Sequence, residues 1–181
     1  MSVKVMIQPT PNPNARKFIC SLDVKTEGKV TFKEPEECNH ITLALSLFSL
    51  ANVSQVHFFE NIVTVTQNGL SDWAGMEKLV IGVLEKLLPD HDPDFKTALE
   101  AHRDNLSPQL KQIDDILDRT VRPALQADGG DLQVIEYTDN VLSILYQGAC
   151  GSCPSSQTMT LQSIQGVLRH EFDPEIEVIT V

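Results

Sequence analysis

The chain has 181 residues, 41% of them hydrophobic and 22% charged, and a formal net charge of −11. That length holds one sizeable core or two compact domains of under about 100 residues each, and no apolar run approaches the roughly 20 residues that span a bilayer. Residues 1–90 carry 8 Lys/Arg against 10 Asp/Glu and residues 91–181 carry 6 against 15, nets of −2 and −9; such a surface repels nucleic acid and anionic membranes, so neither is expected as a partner.

Met1–Ile7 alternates like a strand and has neither the apolar stretch of a signal peptide nor the Arg/Ser-rich character of a transit peptide. The expectation is a cytoplasmic protein. Pro9, Pro11 and Pro13 forbid helix and predict an extended, donor-poor stretch. Phe18, Cys20 and Leu22 alternate as a second strand, and Val30–Phe32 reads as a third. Ile41, Ala44, Leu45 and Phe48 fall at helical spacing. Strands Val53–Phe59 and Ile62–Thr66 follow, joined at Glu60-Asn61. Ser71 or Asp72 caps the next helix, whose apolar face reads Met76, Leu79, Val80, Val83, Leu84 and Leu87 before Pro89 ends it. These elements predict a small α/β sandwich over residues 1–88, with helices on one sheet face.

Residues 89–107, charged and broken by Pro89 and Pro93, read as a linker in which Asp90-His91-Asp92 is a solvated loop. The second domain, 108–181, begins at Ser107-Pro108, an N-cap followed by proline at the first helical position. Ile113, Ile116, Leu117, Val121, Ala124 and Leu125 continue an amphipathic helix with a kink at Pro123, stopped by Asp128-Gly129-Gly130-Asp131. Asp128 and Asp131 read as a solvated cap and turn. Strands Leu132–Tyr137 and Val141–Tyr146 precede Cys150-Gly151-Ser152-Cys153-Pro154. A helix bearing Leu161, Ile164, Leu168 and Phe172 leads to a last strand, Ile176–Thr180. The whole reads as α+β in two small domains, the second ordered α-β-β-α-β.

Cysteines stand at 20, 38, 150 and 153. Cys20 and Cys38 are isolated and read as small semi-buried hydrophobes. Trp73, at a helix start, reads as a packing anchor. A two-residue spacer lets Cys150 and Cys153 aim both sulfurs at one centre, the spacing of zinc, iron–sulfur and dithiol redox sites. Gly151 permits a tight turn, Pro154 suits a helix start, and the amides of Ser155, Ser156 and Gln157 are expected to face the sulfurs and favour thiolate. A tetrahedral zinc or a cubane cluster usually takes four protein ligands. The second domain holds two cysteines, and its one histidine, His170, lies about five helical turns away. The economical completion is a second subunit across a twofold axis.

Ala127-Asp128-Gly129-Gly130-Asp131, two strands, then Gly148-Ala149-Cys150-Gly151-Ser152-Cys153-Pro154-Ser155-Ser156 resembles the C-terminal domain of NifU-type (Nfu) iron–sulfur scaffold proteins. Thr10-Pro11-Asn12-Pro13-Asn14 with Lys17-Phe18 resembles that family's N-terminal domain. The resemblance implies a carrier, not an enzyme, that holds a [4Fe-4S] cluster between the C-terminal domains of a homodimer. It receives the cluster from an upstream donor and delivers it to apo iron–sulfur client proteins, with Cys150 and Cys153 as ligands. One departure stands out: where the family's last helix commonly reads Gly-Ile-Glu, this chain has Ser163-Ile164-Gln165. A thiol–disulfide oxidoreductase and a zinc-bridged interaction module are the other readings of the same cysteines.

Overall fold

The computed structural model describes residues 3–97, 105–152 and 154–181, with side chains outside 151–157. Two compact units, Met1–Thr97 and Ala98–Val181, each enclose a hydrophobic core. The fold class is α+β in two small domains.

In the first unit, strands β1 (Val5–Pro9), β2 (Ala15–Cys20), β3 (Lys25–Phe32), β4 (Val53–Glu60) and β5 (Ile62–Gln67) form an antiparallel sheet ordered β1-β2-β5-β4-β3. Strand alternation puts Phe18, Val30, Val56, Phe58, Val63 and Val65 into one core. Helices α1 (Thr42–Phe48) and α2 (Trp73–Leu87) add Leu43, Leu47, Met76, Val80 and Leu84 to it. The β4–β5 hairpin turns at Glu60-Asn61, with Glu60 taking the left-handed residue at φ 49°. Asp72 caps α2, its Oδ2 accepting from the Gly75 amide at 3.1 Å.

Three local expectations change. The proline run is not extended: Asn12 is buried, the Thr10 hydroxyl donates to the Asn12 carbonyl at 2.9 Å, and Asn12 Oδ1 accepts from the Asn14 amide at 2.9 Å. These side-chain bonds close a tight turn where proline supplies no donors. Trp73 braces it, its indole N–H donating to the Pro13 carbonyl at 2.9 Å, as the anchor reading requires. Leu22 and Leu79 face solvent, 38% and 58% exposed, because β2 has ended at Cys20 and Leu79 lies off the face of α2 on which Met76, Val80 and Leu84 are buried and Ile81, Val83 and Leu87 partly so.

Residues 89–97 do not hang free. His91 Nε2 donates to the Val24 carbonyl at 2.9 Å, Lys25 Nζ donates to the Phe95 carbonyl at 2.9 Å, and the His91 and Phe95 rings pack edge-on against Phe58. The solvated-loop reading of Asp90-His91-Asp92 therefore fails at His91. Aromatic burial outweighs the local charge.

In the second unit, α3 (Pro108–Thr120) starts at Ser107, whose Oγ accepts from the Leu110 amide at 3.3 Å. Pro123 has no N–H for the carbonyl four residues back, so the predicted single helix breaks at Val121 into α3 and α4 (Arg122–Ala127). Strands β6 (Gly130–Thr138) and β7 (Val141–Gly148) form a hairpin whose two loop residues, Asp139 and Asn140, have φ of 51° and 63°. A 3-10 turn (Ala149–Ser152) leads to α5 (Pro154–Glu171), which returns the chain so that β8 (Glu177–Thr180) pairs parallel with β7. Ile113, Leu117, Leu132, Leu142, Ile144, Ile164 and Leu168 are fully buried between helices and sheet.

Candidate metal centre

The Cys-x-x-Cys loop leaves the sheet at one point. Gly148 ends β7 with φ 63° and turns the chain into the 3-10 turn that carries Cys150. Directly opposite, Gly130 pairs with Gly148 at the start of β6. The Gly129 carbonyl accepts from the Ala149 amide at 3.1 Å, which ties the α4–β6 turn to the cysteine loop.

Gly129 and Gly130 do different work. Gly129 takes φ 78°, a conformation strained for any residue with a Cβ. Gly130 is needed for space: a Cβ built on it would lie 2.3 Å from Cys150 Sγ and 2.9 Å from both the Cβ and the backbone nitrogen of Cys150. The Cys150 side chain thus occupies the place a side chain at 130 would take, and it is 6% exposed. Tyr146, buried two residues before Gly148, lies near enough to feel the charge of Cys150. Burial, and then the charge of a Cys150 thiolate, push its phenol up to about 12.

Beneath the Gly-Gly turn lies a charged network that the sequence reading misses. Arg122 is 2% exposed and pairs with Asp114 and Asp118. Its Nε lies 3.4 Å from Asp131 Oδ1 without a hydrogen bond, a contact of charge alone. Burial opposes the guanidinium charge, but the hydrogen bond and charge of Asp114, then the charges of Asp131 and Asp118, outweigh it and raise its pKa. Asp131 is fully buried, accepting from the Leu132 amide at 2.6 Å and the Gln126 amide at 2.9 Å. The solvated-turn reading of Asp131 is corrected accordingly. Asp114 and Arg122 sit at i and i+8 on one side of the helical stretch, the only local sign of their pairing.

Cys153 lies outside the described residues, as do the side chains expected to surround it, from Gly151 to Gln157. The element that follows is described: α5 opens at Pro154. His170 is exposed near the far end of that helix. Among the described residues no group of three or more His, Cys, Asp or Glu is placed to hold a metal ion. Cys20 and Cys38 are buried in the first unit, and burial before all else pushes both thiols up to about 11. They are protonated packing residues, as expected.

Gln165 ties α5 to β8. In one amide orientation its oxygen accepts from the Val178 amide at 3.3 Å; in the other it accepts from both terminal nitrogens of Arg169, at 3.1 and 2.7 Å. One amide oxygen cannot serve both places. Its NH2 end is left facing a donor either way.

The chain is thus a two-domain α+β protein with Cys150 between a hairpin and a helix of the second unit. Residues 5–91 match the family model "Scaffold protein Nfu/NifU N terminal" and residues 113–179 match "NifU-like domain"; the chain belongs to the Nfu/NifU family. It is 29% identical over 98% of its length to a Drosophila erecta protein named "NFU1 iron-sulfur cluster scaffold homolog, mitochondrial", and covers 64% of that protein. It is 28% identical over 97% of its length to a NifU-like protein of Schizosaccharomyces pombe, covering 71% of it. The chain therefore spans just under two thirds of the length of several curated relatives it matches. Among solved structures, a NifU-like protein of Saccharomyces cerevisiae matches 51% of this chain and 83% of its own at 23% identity and a TM-score of 0.46.

The relatives' names overturn one expectation. Those called NFU1 are mitochondrial, against the cytoplasmic reading drawn from the character of Met1–Ile7. The start of this sequence does not decide location.

No helix among the described residues is long and apolar enough to cross a membrane.

Proposed function

We propose that the protein is an iron–sulfur cluster scaffold that carries a [4Fe-4S] cluster as cargo between the C-terminal domains of two subunits. Each subunit gives Cys150 and Cys153, and the cluster passes from an upstream donor to apo iron–sulfur proteins. The protein itself turns over no substrate. The observation that carries this reading is the seat of Cys150, the first thiol of the Cys-x-x-Cys sequence, whose side chain fills the space that Gly130 leaves without a Cβ. The count of cysteines supports the shared site: the second half of the chain has two, and a cubane takes four thiolates. A cluster held by few bonds from each of two chains suits loading and release. The names of the relatives support the scaffold role and a mitochondrial setting.

Anaerobic reconstitution with iron and sulfide tests it. The expected product is a dimer with about four iron per dimer and broad absorption near 400 nm, as thiolate-ligated cubanes show. A Cys150→Ala/Cys153→Ala variant that took up the same iron would sink the reading. Transfer to an apo-acceptor enzyme separates it from a zinc-bridged module, since zinc-loaded protein cannot activate such an acceptor. Disulfide reductase turnover by the metal-free protein would favour the oxidoreductase instead.

A further inference from the structure

On the first unit, α1 and α2 pack against each other and leave a groove of about 340 Å³. Leu50, Leu79 and Val83 line it, with Lys78 and Lys86 about two helical turns apart along the same wall and Gly82 between them. Leu79 is more than half exposed although its neighbours Met76 and Val80 are core. Neither lysine is in an ion pair among the described residues. Gly82 is the odd member. A Cβ built there meets nothing within 4 Å, so no described contact calls for glycine, and glycine inside a helix is destabilising. What it leaves is bare backbone in the middle of an apolar groove.

We propose that this groove docks an acidic amphipathic helix from a partner protein. The apolar side chains of that helix pack on Leu50, Leu79 and Val83, its carboxylates meet Lys78 and Lys86, and its backbone passes close over Gly82. Helix-in-groove recognition uses this combination of an apolar floor and charged rim. Charge selects the occupant: in a chain of net −11, two lysines without ion pairs among the described residues flank the apolar strip, and complementary potential fixes which partners are admitted.

The test uses full-length, metal-free, 15N-labelled protein, so its outcome is independent of cluster binding. The probe is a synthetic helix of about 18 residues with leucines at i, i+3, i+4 and i+7 and flanking glutamates, beside a twin carrying lysines in place of the glutamates. Saturable amide shifts are expected within residues 46–50 and 78–87, with the lysine twin at least about ten-fold weaker. Lys78→Glu/Lys86→Glu is expected to reverse that preference. Gly82→Gln is expected to raise the thermal midpoint yet weaken peptide binding several-fold, a split that a purely structural glycine does not produce. Equal binding of the twins, no binding, or shifts confined to other surfaces would overturn the proposal. So would groove shifts that track protein concentration without peptide, which indicate a second copy. Second-unit shifts on charge reversal alone, which indicate cover by the chain's own acidic half, would overturn it too.

Discussion

Gly130 and Cys150 share a single space, twenty residues apart in sequence. The missing Cβ of one is the seat of the other's sulfur: a methyl at 130 would sit 2.3 Å from Sγ and 2.9 Å from the Cys150 backbone nitrogen. Because one of the overlapping atoms is backbone, rotating the thiol away does not relieve the conflict.

Gly130→Ala should therefore move the cysteine loop, destabilising the second unit by about 1–3 kcal/mol, as overpacking does, and abolishing most cluster loading. Gly129→Ala should cost about 1–2 kcal/mol through its left-handed φ, a backbone penalty, so iron loading should fall less than in Gly130→Ala. Iron and sulfide assays on both variants, beside urea unfolding, separate the two effects. Equal loading of the Gly130 variant and the parent would refute the role given to this glycine.

Arg122→Met should leave Asp114 and Asp131 without their buried cation, a loss of about 3–5 kcal/mol. Adding Asp114→Asn should recover part of it. Trp73 is the only tryptophan and lies in the first unit, so its fluorescence transition should stay put while the second unit's circular-dichroism transition moves to lower denaturant.

Gln165→Glu should stabilise. A carboxylate has two acceptor oxygens and no NH2, so it can accept from Arg169 and the Val178 amide together, where the amide serves one and opposes the other. The gain should be about 0.5–1 kcal/mol and shrink with added salt, because the pair is only partly buried. An unchanged unfolding midpoint at low salt would count against this geometry.

His91 gives the first unit a pH dependence. Burial first of all lowers its pKa below the usual 6.5, ahead of the opposing bond to the Val24 carbonyl. A base whose folded pKa is depressed binds fewer protons folded than unfolded, so its contribution is present above the unfolded value and lost as pH falls through 6.5 toward the folded one. Stability followed by Trp73 fluorescence should decline across that window. His91→Gln should be less stable at pH 8 and flatter below pH 6.5.

Much of this protein was legible without coordinates, and the reason is period. The stripe Met76–Val80–Leu84, the alternation through Phe58 and Val63, the cap at Ser107 and the hairpin between the second unit's first two strands follow from spacings within a few residues, which local sterics and one-sided burial dictate. The Cys150–Cys153 spacing is read from the sequence alone, since Cys153 lies outside the described residues. Other features were misread because long-range contacts overrode local character. His91 looked like part of a charged loop until the Phe58 and Phe95 rings covered it, and Asp131 looked like a solvated turn residue until Arg122 supplied a buried cation.

The sequence by itself determined the two-domain α+β order, the dithiol spacing and the two glycines after Asp128. Only the tertiary structure decided what those glycines are for, one holding a left-handed turn and the other yielding its volume to Cys150. It also decided that Arg122, Asp114 and Asp131 form one buried network under that turn. The physical reason is common to both: excluded volume and desolvated charge act between residues adjacent in space, and no local pattern encodes which distant residue will be there.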